Sequence, residues 1–219
     1  MIRAFFFDLD GTLLDTEVLW VQATRTYLAA RQAPCTPAEA TALVYGRSWR
    51  DIYLEIERRF PHVATGMERV GAELRVELQR LRAATDVRIA GSVALLERLA
   101  AEHPVAIVSG SPRQDIAESI ALMGIAAQVR FFLGAEDYTP GKPDPACFLM
   151  AARRLDVPPA MCVVFEDSAA GVRAARAAGM RCVALARPGA PPQDVAAADL
   201  VLDDLARFRL DEFVACGGW

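Results

Sequence analysis

Four short apolar runs rich in β-branched and aromatic residues recur along the chain, at residues 2–7, 105–108, 162–165 and 182–185, with a weaker fifth at 200–202. Between the later runs the apolar spacing changes to a helical period, over 92–102, 113–123, 145–155 and 169–178. Strands without polar alternation are buried on both faces, and strands alternating with helices predict a parallel sheet covered by helices on both sides. The punctuation agrees. Asp144-Pro145 reads as an N-cap followed by a first-turn proline, while Ser168 caps a helix that Gly179 stops. In an open sheet of this kind ligands gather at the carboxyl ends of the strands, so the residues just after each run carry the interest.

One stretch breaks the alternation. Residues 16–85, about 70 in number, show helical spacing and almost no strand signal, which is too long for a single crossover. Trp20, Tyr27 and Leu28 mark one helix, Ile52, Ile56 and Phe60 a second, and Leu74, Leu78 and Leu81 a third. The expected organisation is therefore an α/β, Rossmann-like core made of 1–15 and 86–219, interrupted by an inserted helical cap domain at 16–85. A length of 219 residues suits one domain carrying such an insertion.

Composition narrows the partners. With 53% hydrophobic and 24% charged residues the chain has enough apolar side chain for a core. Its net charge of −4 provides no general field for nucleic acid. No apolar run approaches the roughly 18 residues of a membrane span. The apolar N-terminus is cut short by Asp8 and Asp10 with no cleavage site after it, so the reading expects a cytoplasmic protein. Cys35, Cys147, Cys162, Cys182 and Cys216 are odd in number and widely spaced, which predicts buried reduced thiols rather than a zinc site or a disulfide framework. Oligomeric state is open.

The chemistry concentrates at strand ends. Phe7-Asp8-Leu9-Asp10-Gly11-Thr12 ends a strand with two carboxylates at i and i+2, on one face and about 7 Å apart along the chain. A turn after a strand accounts for Asp10-Gly11 and leaves Asp8 unexplained. Phe165-Glu166-Asp167-Ser168 ends a second strand with two more acids, and oxygen ligands from separate strand ends suit Mg²⁺. Val108-Ser109-Gly110-Ser111-Pro112 ends a third, where the Ser109 hydroxyl and the backbone N–H groups around Gly110 make a phosphate-binding arrangement. Lys142 is the single lysine beside 23 arginines, in Gly-Lys-Pro-Asp-Pro, and marks a place for a compact ammonium where a guanidinium fork would not serve. His62 and His103 sit beside prolines at helix ends and read as structural.

Asp8-x-Asp10-Gly-Thr, Ser109, Lys142-Pro and Glu166-Asp167, in that order, resemble the haloacid dehalogenase superfamily over nearly the whole chain. The helical insertion resembles the cap of the branch that includes β-phosphoglucomutase, phosphoglycolate phosphatase and sugar-phosphate phosphatases. The resemblance implies that Asp8 attacks phosphorus to give an aspartyl-phosphate, that Asp10 protonates the leaving alkoxide and later activates water, and that Lys142, Ser109 and Gly110 hold the phosphoryl oxygens. It implies a Mg²⁺ ion on Asp8, the Asp10 backbone carbonyl, Asp167 and Glu166. A dehalogenase lacks the second aspartate, and phosphonate cleavage uses a cap lysine that is absent here.

The expected activity is Mg²⁺-dependent hydrolysis of a small phosphorylated metabolite, a sugar phosphate or phosphoglycolate-like ester. A β-phosphoglucomutase-like mutase is the rival within the family, and a catalytically silent binding protein the rival outside it. Where the mutase resemblance would place a histidine the chain has Trp20. Around Gly46-Arg47-Ser48-Trp49-Arg50-Asp51 it has Tyr45 and Trp49 in place of the expected lysine and arginine. Trp20, Arg47, Trp49, Arg50 and Arg113 are the candidates for substrate selection. A lone lysine selected for its shape makes a testable demand: Lys142→Arg should lose nearly as much turnover as Lys142→Ala in a steady-state phosphate-release assay, and a mild effect of the arginine would remove its geometric role.

Overall fold

The computed structural model describes residues 1–45, 47 and 49–216, the side chains of Ala83 and Cys216 excepted. Gly46 and Ser48, part of the run Gly46 to Asp51 named above, fall outside the described residues. The chain forms two compact units, one of Met1–Leu14 with the segment from Arg88 onward and the other of Asp15–Val87.

The first unit is built on a six-stranded parallel sheet among the described residues. Its strands are β1 (Ala4–Phe7), β2 (Val105–Val108), β3 (Val129–Leu133), β4 (Cys162–Glu166), β5 (Arg181–Leu185) and β6 (Leu200–Leu202), in the spatial order β3-β2-β1-β4-β5-β6. The chain steps outward from β1 to β3, then returns to the other side of β1 for β4. That reversal opens a crevice at the carboxyl ends of the central strands. Phe7 lies level with Ile107 on one side and Phe165 on the other, so the residues that follow all three strands emerge at one height.

Every residue of β1, β2 and β4 is buried. On one face Phe165 stacks on Phe7 with ring centroids 4.5 Å apart and meets Phe208 edge-on at 5.1 Å. On the other, Phe6, Val108 and Val164 pack with Phe148 of α7 (Ala146–Leu155) and Val172 of α8 (Ala169–Ala177). Ser168 accepts a hydrogen bond from Gly171 N–H at the start of α8, and Gly179 turns the chain away from it at φ +73°. Helices α5 (Ala90–Ala100), α6 (Arg113–Met123) and α9 (Leu210–Cys216) complete this unit.

One strand was not expected. β3 pairs with a single neighbour at the sheet edge, and exposed Arg130 interrupts its apolar run. An edge strand needs only partial burial, which removes the continuous apolar signal that marks the central ones. Arg154 and Arg113 lie over Phe131 and Phe132 at 4.4 and 4.9 Å and cover rings that an edge leaves half open.

The second unit is helical: α1 (Thr16–Ala29), α2 (Pro37–Val44), α3 (Trp49–Arg59) and α4 (Met67–Ala84). Tyr27, Leu28, Ile52, Ile56, Leu74 and Leu81 are buried as their spacing required, while Leu78 and Phe60 are half-buried. Helix α2 went unread, although Thr36-Pro-Ala-Glu39 forms a complete capping box: Thr36 Oγ1 accepts from Glu39 N–H, and Thr36 N–H donates to the Glu39 carboxylate. Its eight residues are too few for a periodic pattern. Arg31 lies 3.7 Å over the Tyr27 ring and reaches Glu73 at 2.6 Å, tying α1 to α4.

Cys147, Cys162 and Cys182 are buried and unpaired, and burial pushes the Cys147 thiol up to about 11 and that of Cys162 to about 12. Cys35 departs from the expectation, being only half-buried, and the Cys216 side chain falls outside the described ones. Among the described residues no helix is long and apolar enough to cross a membrane. Because Phe165 is fully buried among the rings of Phe5, Phe7 and Phe208, Phe165→Ala should cost about 3–5 kcal/mol in urea denaturation. A loss under about 1 kcal/mol would mean the aromatic layer can collapse around the gap.

Candidate active site

The strand register delivers the acidic residues to one place. Asp8 follows β1 directly, and its backbone N–H is held by the Phe165 carbonyl of β4 at 2.9 Å. Asp8, Glu166 and Asp167 each place a carboxylate oxygen within 4.8 Å of the others. Lys142 arrives from the loop after β3. Its Nζ donates to Asp8 Oδ1 at 2.6 Å, to Glu166 Oε1 at 2.6 Å and to the Val108 carbonyl at 3.0 Å. All three donors of the ammonium are thereby used, a convergent geometry that a planar guanidinium does not match.

Glu166 is fully buried and heavily bonded. Besides Lys142, its Oε2 accepts from Asp167 N–H, Ser168 N–H and Ser168 Oγ at 2.9–3.1 Å. Any part it takes in holding a cation therefore competes with its hold on Lys142. Gly171 sits so close beneath this carboxylate that a Cβ there would overlap it. Gly11, at φ +88°, faces Asp167 in the same way, and Thr12 Oγ1 donates to Asp167 Oδ1 at 3.1 Å. Both glycines are imposed by close approach of a carboxylate to backbone.

On the β2 side, Tyr138 Oη donates to the Ser109 carbonyl at 2.7 Å, and Ser111 N–H donates to Ser109 Oγ at 3.0 Å. Asp10 Oδ2 accepts from Ser111 Oγ at 2.5 Å and more weakly from Ser109 Oγ at 3.4 Å.

Three acids beside one ammonium leave excess negative charge in a buried space. Burial raises the Asp8 carboxyl well above its usual range; Lys142 opposes that, while Glu166, Asp167 and Asp10 reinforce it. For Lys142, burial works against the charge, and Asp8 and Glu166 more than reverse it, so its ammonium is held well above the ordinary lysine value. The donor set is all oxygen, without histidine or cysteine, which suits a hard divalent cation, and the uncompensated charge suits the same ion.

The structure thus brings together Asp8, Asp10, Ser109, Lys142, Glu166 and Asp167, and leaves Gly110 exposed at the end of β2. Arg113 pairs with Asp137 at 2.5 Å and lies over the face of Phe132. Trp20 and Trp49 stack within the helical unit with centroids 6.5 Å apart, and Arg47 and Arg50 are exposed there. His62 is exposed, and His103 packs edge-on against Phe5. Thr12, Ser111 and Tyr138 were not anticipated. The first two lie inside the motifs already singled out, whereas nothing in the sequence marks Tyr138, whose contact spans 29 residues.

The haloacid dehalogenase-like hydrolase family matches residues 2–179, and the chain belongs to it. It is 31% identical to hexitol phosphatase A of Escherichia coli (strain K12), over 95% of this chain and 94% of that one. It is 29% identical to validoxylamine A 7′-phosphate phosphatase of Streptomyces hygroscopicus subsp. limoneus, over 95% and 97%. A crystal structure from Thermotoga maritima, provisionally assigned as a β-phosphoglucomutase, superposes with a TM-score of 0.82 at 23% identity, covering 94% of this chain and 97% of that one. At that identity it shows the shared fold. The class these relatives support is a phosphoric monoester hydrolase.

Two consequences of the buried charge are measurable. Lys142→Met leaves Asp8 and Glu166 facing each other without a cation and should destabilise the fold by about 3–5 kcal/mol in chemical denaturation. The native ion pair contributes fully below the ordinary lysine pKa and is lost only as pH rises through the higher folded value. For Asp8 the raised folded pKa means that stability is lost as pH climbs above the usual carboxylate range. A divalent cation restores it only once the protons have gone. Millimolar Mg²⁺ should therefore raise the melting temperature, and by more at pH 8 than at pH 5; an equal rise at both, or none, would separate the carboxylate cluster from cation binding.

Proposed function

We propose that this protein is a Mg²⁺-dependent phosphatase of small phosphorylated carbohydrates or polyols that works through an aspartyl-phosphate on Asp8. The observation that carries this reading is the Asp8 carboxylate, poised after β1 and held by Lys142, with Asp10 two residues on and Ser109 alongside. Two of the phosphatases similar to this chain act, by name, on a hexitol phosphate and on validoxylamine A 7′-phosphate, which supports the substrate class.

Asp8, Asp167 and the Asp10 backbone carbonyl, with Glu166 behind them, would hold the Mg²⁺. When bound, the ion neutralises phosphoryl charge, which lets an anionic nucleophile approach an anionic ester. An Asp8 oxygen attacks phosphorus as the bond from phosphorus to the ester oxygen breaks, and Asp10 gives its proton to the departing alkoxide. The positive charge of Lys142, fixed beside Asp8 with its donors on protein oxygens, and the Ser109 hydroxyl stabilise the charge of the transferring group. Asp10, now a base, takes a proton from water as that water attacks phosphorus. Inorganic phosphate leaves and Asp8 is regenerated.

The unit Asp15–Val87 serves in this reading as the substrate-selecting cap. Trp20 stacks on Trp49, Trp49 lies near Tyr53, and Trp49 packs on Gly71 closely enough that a Cβ there would sit 3.1 Å from the ring. A fixed aromatic surface favours a sugar ring or polyol chain and offers no grip on a second phosphate, which favours hydrolysis over the mutase reading.

Asp8→Asn should abolish Mg²⁺-dependent phosphate release from sugar and polyol monophosphates, and wild-type-like release from it would remove the aspartyl-phosphate mechanism. The mutase is tested with β-glucose 1-phosphate, Mg²⁺ and a trace of the bisphosphate. Free phosphate without isomerised product is expected, and glucose 6-phosphate formed much faster than phosphate would overturn the hydrolase. An inactive wild type across the substrate screen would favour a silent binding protein.

A further inference from the structure

Ser111 stands two residues after Ser109, inside the motif that ends β2, and has no assigned part in the chemistry. Its hydroxyl nevertheless donates to Asp10 Oδ2 at 2.5 Å. Its backbone N–H donates at 3.0 Å to the Ser109 hydroxyl, which in turn lies 3.4 Å from the same Asp10 oxygen. Ser111 thus touches Asp10 directly and again through Ser109.

The loop that carries it is braced from elsewhere. The Ser111 carbonyl accepts from Ala135 N–H at 3.0 Å, the Glu136 carboxylate accepts from Arg113 N–H at 3.0 Å, and Tyr138 holds the Ser109 carbonyl. Asp10, by contrast, lies in a turn after β1, half-buried, where its carboxylate plane is set by the contacts it makes. A hydroxyl on a braced loop, bonded to one oxygen of a carboxylate, determines the direction of the other oxygen. Proton delivery depends on that direction within tenths of an ångström.

We propose that Ser111 is a positioning residue for Asp10, aligning its carboxyl for proton transfer to the leaving group. This rests on the phosphatase reading above, in which Asp10 is the proton donor. If Ser111 acts through Asp10, its loss must matter most where the leaving group needs a proton. A good leaving group such as p-nitrophenolate departs without one.

The test compares kcat/KM, which reports on transfer to Asp8, for p-nitrophenyl phosphate, phenyl phosphate and glucitol 6-phosphate in excess Mg²⁺. Wild type, Ser111→Ala, Ser111→Thr and Asp10→Asn are compared. Ser111→Ala should lose about tenfold or more activity on the phenyl and glucitol esters relative to its loss on the p-nitrophenyl ester, and Ser111→Thr should recover most of it. The comparison is a ratio within one preparation, so partial misfolding cancels. Equal losses on all three esters would make Ser111 a phosphate-binding or structural residue, and no loss on any would leave it without a role; either overturns the proposal. If Asp10→Asn shows the selective loss and Ser111→Ala does not, only this inference falls. If Asp10→Asn shows none, the proton-donor assignment falls with it.

Discussion

A single ammonium placed among buried carboxylates is the constraint on which the rest of the site depends. Lys142 bridges Asp8 and Glu166 at 2.6 Å each, so two acids that would otherwise repel share one counter-charge. Its removal would leave negative charge in a space where solvation is poor, which is far costlier than never having charged groups there. Excess acid remains even with the lysine in place. The site is therefore electrostatically incomplete and suited to a further cation and to chemistry that moves negative charge.

Around that interaction the scaffold is built to keep backbone close to carboxylate. Gly11 and Gly171 face Asp167 and Glu166 at distances no side chain would allow. Thr12, Ser168 and the N–H groups of residues 167 and 168 supply hydrogen bonds that satisfy the oxygens of both acids. These supports come from the strand ends themselves. A sheet whose central strands are apolar on both faces can be rigid, and rigidity there is what lets donors be placed in advance of the charge they stabilise.

The two units divide their physical roles. The sheet unit holds the acids, the lysine and the serines, all within hydrogen-bonding networks. The helical unit holds an aromatic cluster of Trp20, Trp49 and Tyr53 and surface ion pairs such as Arg58 with Glu55. Exposed pairs of that kind contribute little to stability and are free to vary.

Much of this was legible from residue order. Five of the six strands, β6 only weakly, and most of the helices announce themselves, because burial on both faces writes a continuous apolar run and burial on one stripe a repeating one. β3, α2 and α9 do not, since this edge strand is only partly buried and helices of eight and seven residues are too short to repeat. The acids and the lone lysine stand out because their residue types are costly at the ends of apolar strands. What only the tertiary structure decided is who holds whom: that Lys142 spends its three donors on Asp8, Glu166 and the Val108 carbonyl, that Arg113 goes to Asp137, and that Ser111 rather than Ser109 makes the closer bond to Asp10. Those pairings join residues from 24 to 134 positions apart, or turn on tenths of an ångström. Strand register and loop geometry set such distances, and neither is written in the local pattern of side chains.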